Sequence, residues 1–328
     1  MEDILKDKTI LLTGATGSFG QKFTEIVMKE HAPKAIRIFS RGELKQVEME
    51  RKFNNEKLRF FIGDVRDGKR LHRAMNGADI VIHAAALKHV PVCEYNPIEA
   101  VKTNIDGALN VIDAAIDNEV EKVVALSTDK AVHPVNLYGA TKAVAEKLFV
   151  QGNSYSGERK TRFSCVRYGN VLGSNGSVIP LFLQQKKKGE ITITDERMTR
   201  FWITLEHGVR LVLTAVSKMN GGEIFIPKIP SMKVTDIADV IAPNTKRKVI
   251  GIRSGEKLHE MLLTSEEATH SREFEDYFII EPEHPFWGEN PHITGKKCPD
   301  GFSYASNNNT KWLTKSDMEK LLREQGFL

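Results

Sequence analysis

The chain has 328 residues, of which 41% are hydrophobic and 27% charged, with a net charge of +4. This composition is typical of a globular protein of about two domains, and its interspersed, nearly balanced charges argue against nucleic acid as a partner. Three widely spaced cysteines indicate no disulfide framework, and no apolar run forms a leader or approaches the roughly 20 residues of a membrane span. We therefore expect a cytoplasmic protein that binds neither nucleic acid nor a membrane.

The first 30 residues predict a strand, a glycine-rich turn and a helix. Thr9–Thr13 is a short apolar run, and the sequence Gly14-x-x-Gly17-x-x-Gly20 follows it directly. Glycines let the backbone approach a pyrophosphate, and the N-terminus of the helix supplies N–H groups to it. We expect a dinucleotide to be bound by this turn through Gly14, Thr16, Gly17, Ser18, Phe19 and Gly20.

The end of the second strand predicts which dinucleotide is bound. Ala35–Ser40 is followed by Arg41, and Lys45 comes one turn later. An acidic residue here would favour NAD by holding the ribose 2′-hydroxyl, whereas a hydroxyl and two cations suit a 2′-phosphate. Ser40, Arg41 and Lys45 therefore predict NADP. Glu43 nearby opposes this assignment, and a purely solvated role for both cations stays open.

The third and fourth strands predict further contacts to the cofactor. Leu58–Ile62 leads to Asp64, which can accept a hydrogen bond from the adenine amino group, whereas Asp67 is placed to cap the next helix. The strand at 79–83 leads into three alanines that let the backbone pass close to the cofactor, and Lys88 then suits an anionic ligand. The cofactor residues predicted here, including one on the following helix, are Asp64, Val65, Ala84, Ala85, Ala86 and Thr103.

Residues 127–142 carry the reactive side chains. They follow an apolar, β-branched run that predicts a buried strand, and they open an amphipathic helix. Tyr138 and Lys142 are four residues apart and share one helix face, where an ammonium would lower the phenol pKa towards neutrality. Such a tyrosine can remove a hydroxyl proton while hydride leaves the same carbon, and Thr128 can hydrogen-bond that hydroxyl.

Asp129 and Lys130 form a second acid/base pair at the end of the same strand. In open α/β sheets, ligands bind in the crevice outside the carboxyl ends of the strands, so both side chains are expected in that crevice. A plain alcohol oxidation has no use for them, which indicates an additional proton transfer. The alternative is that both are loop charges and that Tyr138 and Lys142 are an ordinary surface pair.

The order of the predicted elements indicates an α/β fold. Strand and helix alternate through a sixth strand at 163–167, which predicts a doubly wound parallel (Rossmann) sheet. We place the NADP-binding domain at residues 1–172. A helix at 205–218 and a strand at 223–226 are expected to complete the sheet within about 198–228.

A smaller C-terminal substrate-binding lobe is expected from residues 173–197 and 229–328, with an edge strand at 191–195. Arginine forks suit phosphates, and a glutamate beside a glycine turn suits a sugar or base hydroxyl. The side chains of this kind are Arg197, Arg200, Arg253 and Glu256. No metal is expected, because His259-Glu260 lacks a second histidine four residues on. The single histidines interpreted as structural are His83, His89 and His133.

These motifs together resemble the extended short-chain dehydrogenase/reductases. Within them, the chain is similar over nearly its whole length to the inverting UDP-N-acetylglucosamine 4,6-dehydratases of pseudaminic acid biosynthesis. The most discriminating piece is Thr128-Asp129-Lys130, since dehydratases that retain configuration at C5 have Asp-Glu there. Ser254 stands where the family usually has proline, which loosens the loop that holds Arg253. The shared segments are Gly14-x-x-Gly17-x-x-Gly20, Ser40-Arg-x-Glu-Leu-Lys45, Gly63-Asp-Val-Arg-Asp67, His83-Ala-Ala-Ala-Leu-Lys-His-Val90, Ser127-Thr-Asp-Lys130, Tyr138-x-x-x-Lys142, Asn170, Asp195-x-Arg-Met-Thr-Arg200 and Arg253-x-Gly-Glu-Lys-Leu-His-Glu260.

The resemblance implies a closed redox cycle on a UDP-sugar in a homo-oligomer. Tightly bound, recycled NADP would take hydride from C4 and return it to C6, giving UDP-2-acetamido-2,6-dideoxy-β-L-arabino-hex-4-ulose. Tyr138 and Lys142 serve the oxidation; Lys130 as free amine would remove the C5 proton and Asp129 would protonate the departing 6-hydroxyl, unless these two roles are exchanged. The residues implied to hold the UDP-sugar are Lys88, Asn170, Ser177, Val178, Ile179, Pro180, Thr194, Arg197, Arg200, Arg253 and Glu256.

Three alternatives stay open. A UDP-sugar 4-epimerase would use Tyr138 and Lys142 but have no role for Asp129 and Lys130. A dehydratase of a capsule pathway would share the chemistry and differ in the later steps. A non-catalytic NADP-binding regulator would be expected to lack Tyr138 or Lys142, and both are present.

Overall fold

The computed structural model describes residues 3–173, 178–283 and 294–328. Strand and helix alternate through the first half of the chain, as the sequence predicts. In chain order the elements of this half are β1 (Thr9–Thr13), α1 (Ser18–Glu30), β2 (Ala35–Ser40), α2 (Glu43–Phe53), β3 (Leu58–Ile62), α3 (Gly68–Met75), β4 (Ile80–His83), α4 (Val90–Tyr95), α5 (Pro97–Val101), a π-helix (Lys102–Asp106), α6 (Gly107–Asp117), β5 (Lys122–Leu126), a 3₁₀ turn (Asp129–Ala131), α7 (Leu137–Tyr155) and β6 (Arg162–Val166).

The second half of the chain has shorter strands and a less regular order. Its elements are β7 (Asn170–Val171), α8 (Val178–Lys186), β8 (Glu190–Ile193), β9 (Thr199–Ile203), α9 (Leu205–Lys218), β10 (Ile224–Pro227), β11 (Ser231–Lys233), α10 (Val234–Ile241), β12 (Lys246–Val249), β13 (Met261–Leu263), α11 (Ser265–Ala268), β14 (Ser271–Glu273), β15 (Tyr277–Ile280), β16 (Lys296–Lys297), β17 (Tyr304–Ala305) and α12 (Lys315–Glu324). Among the described residues, no helix combines the length and the apolar character needed to cross a bilayer.

One large sheet organises the molecule. Its order is β16-β14-β15-β10-β6-β5-β4-β1-β2-β3, and the strands from β10 to β3 run parallel. The strands β3 to β6 have the order of a Rossmann sheet, so the predicted doubly wound fold is confirmed. The strand predicted at 223–226 is β10, and it joins the sheet beside β6 as expected.

The sheet extends beyond β10 through β15, β14 and β16, which pair antiparallel. These strands come from residues that the sequence analysis assigned to the C-terminal lobe, so this part of the predicted lobe belongs to the large sheet. Phe278, Ile279 and Ile280 of β15 are buried there. Runs of three or four residues are too short for an alternating pattern to distinguish a strand from a loop.

The centre of the sheet is buried, and its carboxyl edge gathers the loops that carry the predicted site. Every residue of β1 is buried between β2 and β4, as expected for a continuous apolar run in a parallel sheet. Helices α3, α6 and α7 pack together, while α1 packs on α9, so helices cover the sheet in separate layers. The turn at Asp129–Ala131 follows β5 at the middle of this edge.

A second hydrophobic core lies in the C-terminal half, away from the large sheet. It joins α8, α10 and α12 to β8, which pairs with β12 in a separate small sheet. Ile179, Phe182, Ile237 and Met318 are fully or almost fully buried in it. We propose that this core is the body of the predicted substrate-binding lobe, because it packs independently of the Rossmann core.

Candidate active site

A cleft of about 1080 Å³ opens at the carboxyl edge of the sheet. It is lined by the loops after β1, β2, β3 and β4 and by the segment from β5 into α7. Residues from the predicted cofactor set line it together, although they are scattered over the first 142 positions. They are Gly14, Thr16, Gly17, Ser18, Phe19, Ser40, Arg41, Lys45, Asp64, Val65, Ala84, Ala85, Ala86, Thr103, Tyr138 and Lys142.

The glycine turn depends on the backbone conformation of its first residue. Gly14 has a φ of +65°, and a Cβ there would lie 2.8 Å from the amide nitrogen of Ala85. Only glycine fits this left-handed conformation and this close contact between the turn and the loop after β4. Gly20 lies farther along, in α1 against the backbone of Ala15. It therefore serves the packing of the helix on the turn rather than the cleft wall.

The cleft's end near β2 and β3 carries a linked set of polar groups. Asp64 accepts two hydrogen bonds from the side chain of Arg66, at 2.7 and 3.0 Å, and its Oδ2 lies 3.8 Å from Arg41. Burial alone would raise the pKa of Asp64, but these partners lower it. The Ser40 hydroxyl accepts from the buried amide of Gln46 at 3.0 Å, which leaves its hydrogen to donate. No sequence motif assigned a role to Gln46 or Arg66.

The π-helix between α5 and α6 anchors the loop after β4. Asn104 accepts from the amide of Leu87 at 2.8 Å and donates to the hydroxyl of Thr141 at 3.0 Å, so it ties that loop to α7. The hydroxyl of Thr103 is buried and has no partner within the described residues, and this residue lines the cleft. An unpaired buried hydroxyl fits a ligand that completes it. No sequence motif gave Asn104 this role.

The start of α7 is held in place by its cap. The side chain of Asn136 accepts from the amide of Gly139 at 2.8 Å and donates to the carbonyl of Gly255 at 2.7 Å. A Cβ at Gly139 would overlap the carbonyl oxygen of Lys130, so the helix reaches the Asp129–Lys130 turn only because this residue is glycine. The start of α7 is thereby held both against the Asp129–Lys130 turn and to the loop that contains Gly255.

Tyr138 and Lys142 both line the cleft, as predicted, but the electrostatics differ from the expectation. Desolvation raises the pKa of Tyr138 to about 12, although the Lys130 ammonium and the Thr128 hydroxyl act in the opposite direction. Burial lowers the pKa of Lys142. The predicted lowering of the Tyr138 pKa by Lys142 is therefore not found, because burial outweighs the opposing effects and the cation that lowers this pKa is Lys130.

The fully buried Asp129 forms an ion pair with the partly buried Lys130 beside the tyrosine. The carboxylate oxygen Oδ1 of Asp129 lies 3.0 Å from Nζ of Lys130 and accepts from the hydroxyl of Thr128 at 2.9 Å. Burial would lower the pKa of Lys130, but Asp129 and Glu260 reverse this effect and raise it. The prediction that Lys130 is a free amine was therefore wrong, since two carboxylates stabilise its ammonium.

Glu260 completes a group of five buried or partly buried charged side chains that no sequence motif brings together. Its carboxylate lies 3.7 Å from Lys130, 3.8 Å from Arg200 and 3.8 Å from Lys257. Arg200 is predicted to bind substrate, but it donates to the backbone carbonyls of Lys257 and Leu258, so it fastens this segment. We call this group the charge cluster: Asp129, Lys130, Arg200, Lys257 and Glu260.

The other predicted substrate residues fall into two groups. Lys88 and Asn170 line the cleft, and Oδ1 of Asn170 is buried with no hydrogen-bond partner in the described part of the chain. The remaining ones belong to the C-terminal half, where Ile179 is fully buried in the second core and Arg253 lies 3.8 Å from Glu256. Val178 and Pro180 flank Ile179 in α8, Thr194 follows β8, Arg197 pairs with Asp195, and Ser177 lies outside the described residues.

The strand beneath the cleft carries a buried histidine that is neutral. Nδ1 of His83 lies 2.9 Å from the hydroxyl of Thr13, whose oxygen also accepts from the amide of Ala85 at 3.3 Å. Burial, assisted by the Lys142 ammonium, lowers the pKa of His83 to about 3. The structural interpretation of His83 is confirmed, because the ring supports the loop after β4 from inside the sheet.

The parallel sheet, the glycine turn and the Tyr138-x-x-x-Lys142 pair at one cleft define an extended short-chain dehydrogenase/reductase. The family model described as "Polysaccharide biosynthesis protein" matches residues 10–282, and the chain belongs to that family.

Comparison with known proteins gives relatives of full length. The chain is 52% identical over 330 residues to the UDP-N-acetylglucosamine 4,6-dehydratase (inverting) of Campylobacter jejuni subsp. jejuni serotype O:2, covering 98% of this chain and 99% of the relative. It is 43% identical to the UDP-glucose 4-epimerase of Rickettsia massiliae, covering 96% and 95%. The X-ray structure of Pen from Bacillus thuringiensis superposes with a TM-score of 0.90 at 39% identity, covering 99% of both chains.

Proposed function

We propose that the protein is a configuration-inverting UDP-N-acetylglucosamine 4,6-dehydratase that catalyses the first step towards pseudaminic acid. The observation that supports this most strongly is the Asp129–Lys130 ion pair beside Tyr138, in which the buried Asp129 accepts hydrogen bonds from both Lys130 and Thr128. Its two proton-transfer groups are what an elimination requires in addition to an oxidation. The 52% identical relative from Campylobacter jejuni carries the same activity in its name.

The cleft fits a dinucleotide, and its second-strand end favours NADP. The glycine turn provides the close backbone approach, and the Thr103 hydroxyl, which has no partner in the described part of the chain, provides a polar group for a ligand to complete. Arg41 is more than half exposed and lines the cleft with Lys45, so both cations are accessible to a 2′-phosphate. When bound, NADP would accept hydride from C4 of the sugar and return it to C6, so it would be recycled and would stay tightly bound.

Tyr138 serves the oxidation at C4 by taking the proton of the 4-hydroxyl. Thr128 can hydrogen-bond the same hydroxyl, and Lys142 supplies positive charge to the helix face that Tyr138 occupies. In the structure the phenol is protonated at neutral pH, since its pKa is about 12. Tyr138 must therefore lose its own proton to solvent before it accepts that of the 4-hydroxyl, and the Lys130 ammonium and the Thr128 hydroxyl favour the phenolate that forms.

Asp129 and Lys130 serve the elimination across C5 and C6. The 4-keto group acidifies the C5 hydrogen, which a carboxylate can remove, and the 6-hydroxyl leaves as water when a cationic acid protonates it. Since two carboxylates hold Lys130 as an ammonium, we assign the acid role to Lys130 and the base role to Asp129. A proton then enters C5 from the opposite face, which inverts that centre.

The nucleotide end of the substrate would bind between the cleft and the C-terminal lobe. Lys88 and Asn170 line the cleft beside the charge cluster and suit the sugar and its phosphates. Within the described residues, one buried side-chain oxygen of Asn170 and one of Glu256 have no hydrogen-bond partner, and a sugar hydroxyl can satisfy these acceptors. We retain Arg197 and Arg253 as phosphate ligands, because both guanidinium groups are largely exposed.

A UDP-sugar 4-epimerase is the second candidate, and the 43% identical Rickettsia massiliae relative named as one favours it. Proton NMR of the purified protein with UDP-N-acetylglucosamine, without added cofactor, separates the two. A dehydratase gives a 6-methyl signal from a 6-deoxy-4-keto sugar. An epimerase gives UDP-N-acetylgalactosamine, which keeps its 6-hydroxymethyl group, and that product would overturn the proposal.

We also propose that the protein is a homo-oligomer. Helices α4, α5 and α7 contact one another and carry large apolar side chains that are exposed in the single chain. Tyr95 is 88% exposed and Ile98 64%, and a surface of this kind is usually covered by a partner. A second copy of the chain can cover it through a symmetric contact.

A further inference from the structure

Glu260 is a buried carboxylate that the dehydration scheme has not used so far. It is 3% exposed, and its Oε2 has no hydrogen-bond partner within the described residues. Its side chain is held instead by three cations at 3.7 to 3.8 Å: Lys130, Arg200 and Lys257. Ion pairs at these distances add little to the free energy of folding. The cost of removing the buried carboxylate from water opposes its attraction to the three cations. Such a group is more often kept for function.

Glu260 and Asp129 contact the same ammonium. Nζ of Lys130 lies 3.0 Å from Oδ1 of Asp129 and 3.7 Å from Oε1 of Glu260. The segment of Glu260 is held at two points: Arg200 of β9 donates to the carbonyl of Leu258, and Lys257 donates to the carbonyl of Val132, next to the Asp129–Ala131 turn. The ammonium is therefore fixed between two carboxylates from different parts of the chain.

We propose that Glu260 is a positioning residue for the dehydration step, which fixes the Lys130 ammonium beside Asp129 so that Lys130 acts as the acid. This inference rests on the proposed function. With Glu260 in place, Lys130 can donate its proton to the departing 6-hydroxyl while Asp129 keeps its charge to accept the C5 proton. Glu260 itself does not touch the reacting atoms in this scheme.

The surrounding charges determine the sign of the expected pH effect. Asp129 and Glu260 raise the pKa of Lys130, while Arg200 acts in the opposite direction. Removal of the Glu260 charge lowers the pKa of the ammonium, so the acid form of Lys130 is lost at a lower pH. The charged and titratable groups that face Lys130 from the elements around it are Asp129, Glu260, Arg200, Lys257, Lys88 and Tyr138.

The test is the pH profile of Glu260→Gln compared with the wild-type protein, using UDP-N-acetylglucosamine. We expect 6-deoxy product to form about 10-fold more slowly or worse, and the alkaline limb of kcat to move to lower pH. The C4 oxidation should persist, so reduced cofactor should accumulate in the variant and be visible by its absorbance. Glu260→Asp keeps the negative charge on a shorter side chain and should shift the alkaline limb of kcat by an intermediate amount. This variant provides the test if Glu260→Gln does not fold.

The control is Glu267→Gln, which removes another carboxylate from an ion pair, the one with Arg167 away from the charge cluster. Glu267→Gln should lower the free energy of unfolding without moving the alkaline limb of the kcat profile. An unchanged profile in both Glu260 variants would overturn the inference, as would an acidic limb that moves to lower pH, since Lys130 would then be a base. Equal loss of C4 oxidation and product would show a merely structural role. A wild-type protein that makes no 6-deoxy product would overturn the proposed function itself.

Discussion

Nζ of Lys130 lies 3.0 Å from Oδ1 of Asp129, and the same carboxylate oxygen accepts a hydrogen bond from Thr128 at 2.9 Å. Asp129 is fully buried, while the side chain of Lys130 is 26% exposed and so reaches the cleft. Residues adjacent in sequence rarely meet in this way unless the backbone turns sharply, and here the 3₁₀ turn at Asp129–Ala131 provides that turn. The contact places an acid and a base within reach of one sugar ring, which is the basis of the predictions below.

Lys130→Met should abolish formation of the 6-deoxy product, with a loss of about 100-fold or more, because the departing hydroxyl loses its acid. The C4 oxidation should survive, so substrate should reduce the bound cofactor once and then stop. Single-turnover absorbance together with NMR of the products measures both steps. Lys187→Met, at an exposed position, is the matched control. Normal turnover of Lys130→Met would remove Lys130 from the mechanism.

Arg41→Ala should weaken NADP by about 10-fold and change NAD affinity little, because a charge-assisted hydrogen bond to a 2′-phosphate is lost. The measurement is calorimetric titration of the protein freed of its own cofactor. Arg51→Ala, on the exposed side of α2, removes an equal charge away from the cleft and should leave both affinities unchanged. Equal losses for the two cofactors in Arg41→Ala would contradict the NADP assignment.

His83 should make stability depend on acid pH. Its pKa in the folded protein is about 3, whereas an unperturbed histidine has about 6.5, so the unfolded chain binds the proton more readily. The free energy of unfolding should therefore fall as pH drops below about 6.5, by up to about 1.4 kcal/mol per pH unit from this residue, until pH approaches 3. Urea unfolding at a series of pH values measures it, and His83→Gln should show a smaller slope. An equal slope in both proteins would show that His83 is not the group responsible.

Ile98→Asp should reduce the size of the assembly, because a carboxylate would be buried in the proposed contact between α4, α5 and α7 of two copies. Light scattering coupled to size-exclusion chromatography gives the mass of the particle. Val249→Asp is the matched control, since Val249 is 55% exposed on β12, outside that helix group. A monomeric wild-type protein, or an unchanged mass for Ile98→Asp, would count against this surface.

The sequence was sufficient to predict the Rossmann half of the molecule. The bounds of β1, β2 and β3 match the three runs read from the sequence, although only β1 is buried throughout and β3, at the edge of the sheet, is partly exposed. The cleft residues could also be predicted, because parallel strands bring their carboxyl ends to one edge. The local hydrophobic pattern and the topology of the parallel sheet are together sufficient to predict the Rossmann half and the residues at its carboxyl edge.

The charge cluster could not be predicted in the same way. Glu260 lies far from Lys130 in the chain, and the loops between them follow no repeating pattern that gives their path. Arg200 was predicted as a phosphate ligand from its residue type, but its donors are used by the carbonyls of Lys257 and Leu258. The pKa predictions for Tyr138 and Lys130 failed for a related reason, since burial and long-range partners determine the sign of each shift.

The most direct test of the proposed chemistry is proton NMR of the protein with UDP-N-acetylglucosamine in heavy water. The elimination removes the C5 proton and inverts that centre, so we predict a 6-deoxy-4-keto sugar with deuterium at C5 and the coupling constants of the L-arabino configuration. A product with retained D-xylo configuration would contradict the inverting role of the Asp129–Lys130 pair.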